Sequence, residues 1–283
     1  MKKMLFVYNP LAGKGMIRNS VSHILEVFSA HGYEVVSGMQ AGRFTRPVGY
    51  IPSGSTNDYA STLGIPKQMI SAAHAIMNGS IFSCDIGRMN DSYFVYVAAF
   101  GAFASVSYDT PQDMKNMLGH LAYLVRGAQS LPSLKSYHMH FESRECSGTD
   151  DFIFGMITNS NSVGGFEGIT GRDVTLNDGV FEVTLIRMPQ ILAVELPALL
   201  TALLNGTENK NLVTFKTSRL ELWFEEAVSW TRDGEYGGDH RYLVIENLPE
   251  ALPIILPDRD RERHLPVQKE SAELIDTYRN LSI

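Results

Sequence analysis

Val48-Gly-Tyr-Ile-Pro-Ser-Gly-Ser-Thr-Asn-Asp-Tyr59 is a short apolar run that stops in small and hydroxylated residues and then enters a helix-like segment. Gly54 lets the backbone bend and come close to a ligand. Ser53, Ser55 and Thr56 supply hydroxyls, and Asn57 and Asp58 suit a helix N-terminus whose free N–H groups attract anions. The stretch reads as a phosphate-binding turn, with an ordinary capped strand-to-helix turn as the plainer alternative.

Upstream, Leu5 to Tyr8 has the pattern of a buried strand, Asn9 to Gly15 that of a glycine-containing loop, and Ser20 to Ala30 that of a helix. Val21, Ile24, Leu25, Val27 and Phe28 form the helix's apolar face and Gly32 its stop. Tyr33 to Val36 then reads as a second strand, so the chain opens as a β-α-β unit of an open α/β sheet. The next strand is expected at Val48 to Ile51. Ser37 to Pro47 is barely long enough for the crossover that parallel strands require, and it is polar and without helical period.

Downstream, helices are expected from Asp58 to about Leu63 and from Met69 to Met77. From about Arg88 the pattern turns to strands: 93–99, 136–142, 152–159, 180–187, 212–215, 219–224, 227–231 and 242–246. Strands broken by Gly, Asn and Asp turns indicate an antiparallel sandwich. Helical insertions are expected at Asp113 to Ser130 and Gln190 to Leu204, and a short C-terminal helix at Ser271 to Tyr278. The fold class is thus α/β plus all-β. Residues 1–87 would form the first domain, joined by 258–283, and residues 88–257 the sandwich.

A chain of 283 residues suits two domains. Its net charge of −7, with no sizeable basic block, argues against a nucleic-acid partner. Cys84 and Cys146 lie far apart without ligand spacing and read as reduced thiols of a cytosolic protein. The longest apolar window, Ile191 to Leu204, contains Glu195 and Pro197 and is shorter than the roughly 20 residues of a spanning helix.

Three polar clusters stand out. Asn9-Pro-Leu-Ala-Gly-Lys-Gly15 follows the first strand and can hold phosphate, although it is not a Walker A spacing. The second cluster is Ser53 to Asp58. In the third, Thr231 to Gly238, Asp233 and Glu235 flank Gly234. If both lie on a strand they share a face, and one carboxylate can orient the other; the alternative is an acidic hairpin turn. His138 and His140 also share a strand face, but no third ligand accompanies them.

These clusters occur in order with Asp85-Ile-Gly87, Ala98 to Phe103, Leu118 to Tyr123, Asn159-Ser160, Gly164-Gly165-Phe166 and Leu176-Asn-Asp-Gly179. The ordered set resembles the diacylglycerol kinase catalytic-domain family, in particular its soluble bacterial lipid kinases. The resemblance implies an N-terminal α/β nucleotide domain, a β-sandwich domain, and a cleft between them where the γ-phosphoryl of ATP passes, with Mg²⁺, to a lipid hydroxyl. By the same resemblance Asn9, Gly13, Lys14 and Gly15 with Ser53, Gly54, Ser55, Thr56 and Asn57 would bind nucleotide. Asp58 and Asp85 would belong to a magnesium and water network, and Glu235 would be the base, supported by Asp233. Asp178, with carbonyls such as those of Thr175 and Val180, would hold a structural Mg²⁺. The implied partner is a membrane lipid reached by peripheral contact from the cytoplasm at the inner membrane face, and a homodimer is compatible with it.

One departure is large. The family's Gly-Gly-Asp-Gly-Thr motif belongs between Val36 and Ser37, where the crossover is already too short, and it is absent. A helix, a strand and the glycine turn that would approach the phosphates are missing there. Because the rest of the chain still encodes the core such a piece would cover, a fuller chain is expected; a protein with this deletion should bind nucleotide poorly. The favoured function is an ATP-dependent lipid kinase with diacylglycerol as acceptor. An NAD kinase-like enzyme and a catalytically silent lipid-binding protein are the alternatives. The intact mass of the natural protein should therefore exceed the 31.4 kDa of this chain by several kilodaltons, whereas a mass equal to it would establish a true deletion.

Overall fold

The computed structural model describes residues 2–9, 15–38, 46–54, 57–101, 135–164, 166–167, 169–170 and 173–258. The expected helices at 113–130 and 271–278 lie outside them. Strand β1 (Lys2–Val7) pairs in parallel with β2 (Tyr33–Gly38), and helix α1 (Ile17–Ala30) makes the crossover. Ile17, Ile24 and Phe28 repeat on one face of α1 and are buried against Phe6 of β1 and against Ala73 and Ile76 of α3 (Met69–Asn78). Gly32, at φ +80°, ends α1 with its N–H on the Ser29 carbonyl.

Among the described residues the parallel sheet stops at these two strands. Val48 to Ile51 is not its third strand. Val48 instead makes one parallel bridge to Ile254, donating to the Pro253 carbonyl and accepting from the Ile255 N–H. Pro52 has no N–H to extend a ladder, and Ile76 fills the space beside Gly49, where a Cβ would lie 2.7 Å from its side chain.

Nine of the remaining strands among the described residues form one sheet. They are β3 (Ser80–Met89), β4 (Ser92–Phe94), β5 (Val97–Gly101), β6 (Tyr137–Glu142), β7 (Ser147–Thr158), β10 (Phe181–Arg187), β11 (Leu212–Thr217), β12 (Arg219–Arg232) and β13 (Glu235–Leu256). A separate ribbon joins β8 (Ser162–Val163) to β9 (Phe166–Glu167). Hydrogen bonding continues from β11 to β4, so the expected sandwich is a single sheet that folds over itself. The closure is visible in one ring pair: Phe94 of β4 and Phe181 of β10, near opposite ends of the strand order, have centroids 5.4 Å apart. Phe100, Phe141, Phe152, Leu243 and the fully buried Trp230 fill the same interior. Helix α4 (Leu192–Asn205) covers the other face through Leu196, Leu199 and Leu203.

The expected domain boundary at 87/88 cuts through β3, all of which lies in the antiparallel sheet; the change of architecture falls between α3 and Ser80. Strands β5 and β6 share one row, each pairing with both β7 and β12.

Phe100 stands directly opposite Gly155, and a Cβ on that glycine would lie 2.1 Å from the ring. The aromatic side chain occupies the space a residue would need. Gly155→Ala should lower the unfolding free energy by about 1–3 kcal/mol in a denaturant titration, the cost of overpacking a filled core.

Candidate functional site

Strand β12 ends at Arg232 and β13 begins at Glu235, leaving Asp233 and Gly234 as a two-residue connection with φ of 49° and 88°. Positive φ at both positions is what a tight hairpin of this type needs, and Asp-Gly satisfies it. The shared-strand-face reading of Asp233 and Glu235 is therefore replaced by the hairpin. Asp233 points inward, while Glu235 is exposed. The Asp233 carboxylate accepts the backbone N–H groups of Val95 at 2.8 Å, Tyr96 at 3.0 Å and Val97 at 3.1 Å, and its own N–H donates to the Val97 carbonyl. Burial raises its pKa more than these donors lower it. Asp233 thus fixes the tip of the hairpin, and with it the start of β13 where Glu235 stands.

Helix α2 (Asp58–Thr62) follows the opening glycine-serine turn, with Asn57 before it in the left-handed region at φ 56°. Asp58 is buried and accepts the Ser162 hydroxyl at 3.0 Å. Thr62 donates to Asn161 at 2.8 Å and lies 2.6 Å from the Ser160 hydroxyl; Thr170 donates to the Ser160 carbonyl. Hydroxyl contacts therefore pin α2 to the turn after β7. Beside them Tyr59 stacks on Tyr96 with centroids 5.9 Å apart, and Tyr50 lies 6.1 Å from Tyr59. The Tyr96 phenol is raised well above the ordinary tyrosine range by burial first, then by the charges of Asp233 and Asp58.

Asp85 is placed differently. Fully buried on β3, it accepts the N–H of Glu250 at 2.7 Å on one oxygen, and the N–H of Gly179 at 2.7 Å and the Asn247 amide at 3.2 Å on the other. Asn159 donates to the carbonyls of Asp85 and Leu176. Asp178 accepts the Val180 N–H at 3.3 Å, and its second oxygen faces Lys216 at 3.7 Å. Thr175 and Val180 flank this turn. Neighbouring Cys84 has a buried thiol that burial pushes up to about 12, which keeps it protonated.

The fit of these residues to magnesium is poor. Both oxygens of Asp85 already have protein donors, Asp178 faces an ammonium, and no group of three or more His, Cys, Asp or Glu among the described residues can hold a metal ion. His138 and His140 bond instead to Asp151 and Thr149 on the adjacent strand. Of the expected nucleotide residues, Asn9 is exposed after β1, Gly15 precedes α1 at φ 79°, and Ser53 and Gly54 lie before α2. Gly13, Lys14, Ser55 and Thr56 are outside the described residues. The tyrosine cluster and the Ser160–Ser162–Thr170 hydroxyls were not anticipated. Their sequence signal is the polar Asn159-Ser160 pair that ends the apolar run of β7.

Residues 33–89 match the model of the diacylglycerol kinase catalytic domain. A diacylglycerol kinase of Bacillus subtilis (strain 168) is 29% identical, covering 98% of this chain and all of that relative. That alignment runs over 318 positions against 283 residues here, so it carries gaps on this side. A Staphylococcus saprophyticus diacylglycerol kinase is 33% identical over 80% of this chain and 73% of its own length. A solved diacylglycerol kinase structure from Bacillus anthracis str. Sterne superposes with a TM-score of 0.66 at 18% identity, covering 90% of this chain and 96% of that one, and shares the fold. The chain belongs to the diacylglycerol kinase catalytic-domain family, and so to the lipid kinases, in agreement with the sequence resemblance.

The two carboxylates of the hairpin should separate on mutation. Asp233→Ala strands three N–H donors and should cost about 3 kcal/mol of stability, whereas Glu235→Gln, on an exposed side chain, should stay within about 0.5 kcal/mol in the same chemical denaturation.

Proposed function

We propose that this protein transfers the γ-phosphoryl group of ATP to the hydroxyl of diacylglycerol, giving phosphatidic acid and ADP. The acceptor oxygen bonds to the γ-phosphorus as the bond to the bridging oxygen of ADP breaks, and Glu235 takes the hydroxyl proton. The observation that carries this reading is the Asp233-Gly234 hairpin. Its inward carboxylate is tied to three backbone N–H groups, and its outward neighbour Glu235 is left free for proton transfer at the protein surface. Phosphoryl transfer depends mainly on positioning and charge neutralisation, which a rigid mount for one base serves well.

The loop after β1 and the turn before α2 are the proposed nucleotide side; the first follows the carboxyl end of a parallel strand, where ligands of α/β sheets bind. Mg²⁺ would arrive with the nucleotide phosphates and supply charge neutralisation there. The lipid would be met by peripheral contact at the inner face of the membrane; no described helix is long and apolar enough to cross one. Related lipid hydroxyls fit the same chemistry. A catalytically silent lipid-binding protein is the second reading, favoured by the missing glycine motif.

The test uses radiolabelled ATP, Mg²⁺ and diacylglycerol in mixed micelles, with product lipid measured. Phosphatidic acid should form, and Glu235→Gln should lower turnover by about 10²-fold or more at unchanged melting temperature. Turnover that survives this substitution would remove Glu235 as the base. A folded natural protein that binds diacylglycerol without forming product would favour the silent reading.

A further inference from the structure

In the antiparallel pairing of β10 with β11, Glu182 stands directly opposite Lys216. The Lys216 ammonium lies 3.0 Å from the Glu182 carboxylate and 3.7 Å from Asp178, and it donates to the Asp173 carbonyl at 2.5 Å. The Glu182 side chain is only 6% exposed. Three oxygens from three positions of the chain therefore converge on one positive charge, as they would on a hard metal ion. The ammonium meets this set as a hydrogen bond to the Asp173 carbonyl and as ion pairs to Glu182 and, at longer range, Asp178.

We propose that in this chain Lys216 takes the place of the divalent ion that the family resemblance assigns to Asp178. It acts as a built-in counter-cation that closes the 173–180 turn onto strands β10 and β11. A Mg²⁺ at the roughly 2.0–2.1 Å its ligands demand would sit against the ammonium and be repelled by it. The two arrangements are therefore alternatives. Lys216 is a positioning residue: the turn it holds carries Gly179, whose N–H completes the Asp85 set, and Leu176, whose carbonyl receives the Asp85 N–H and the Asn159 amide.

The test is thermal unfolding of the whole nucleotide-free protein in magnesium chloride and in EDTA, for wild type, Lys216→Met, Asp178→Asn and the double variant. Wild type and Asp178→Asn should show the same response to magnesium. Lys216→Met should melt lower in EDTA by roughly 5 °C and regain part of the loss in magnesium, and the double variant should not regain it. A magnesium-dependent rise in the wild type that Asp178→Asn abolishes would overturn the proposal, as would a Lys216→Met melting temperature unchanged in EDTA. If Lys216→Met fails to fold, binding of Mn²⁺ followed by electron paramagnetic resonance in wild type and Asp178→Asn decides the matter. No Asp178-dependent site is expected, and finding one would overturn the inference.

Discussion

Asp85 is a carboxylate with no exposure to water, held by donors from Gly179, Asn247 and Glu250. A carboxyl group in that position is tolerable only with its oxygens satisfied, so the three segments that supply donors are constrained to meet there. The effect reaches the strands themselves. The β3–β13 pairing shifts register between Leu248 and Leu252, and within that shift Glu250 takes φ 51°, which turns its N–H onto Asp85. The bulge, the turn at Gly179 and the burial of Leu176 are three expressions of one requirement.

Asp233 repeats the principle on the other side of the tyrosine cluster. One buried carboxylate gathers the N–H groups of the β4–β5 link, and the exposed glutamate two residues on inherits a fixed position. The contrast between the two aspartates and Glu235 is one of division of labour. The aspartates, held by backbone and amide donors, organise the scaffold, while Glu235 stays exposed on the strand they position.

The sequence made α1, α3, α4 and most of the sheet readable, because their apolar residues repeat at helical or alternating spacing: Val21, Ile24, Leu25 and Phe28 in α1 are the clear case, although the helix begins three residues earlier, at Ile17. Strand β3 escaped notice. Its Asp85 and Gly87 are turn formers, and only the tertiary donors on Asp85 and the Phe94 ring over Gly87 make them strand residues. Strands β12 and β13 were read as shorter pieces because Glu225-Glu226 and Pro249-Glu250 look like breaks; each sits at a bulge inside a continuous strand. At the site, Asp-Gly announced the hairpin, and the order of motifs announced the family. What Asp85 and Asp178 face could not be read locally, since their partners lie many residues away along the chain, at Glu250 and Lys216.

The row shared by β5 and β6 has a consequence for how this sheet can change. Its two halves are held independently by β7 and β12, so the register of each is set without reference to the chain that joins Gly101 to Tyr137. Each half is thus clamped along both edges, and a slip of either by one residue would have to break two ladders at once, one to β7 and one to β12.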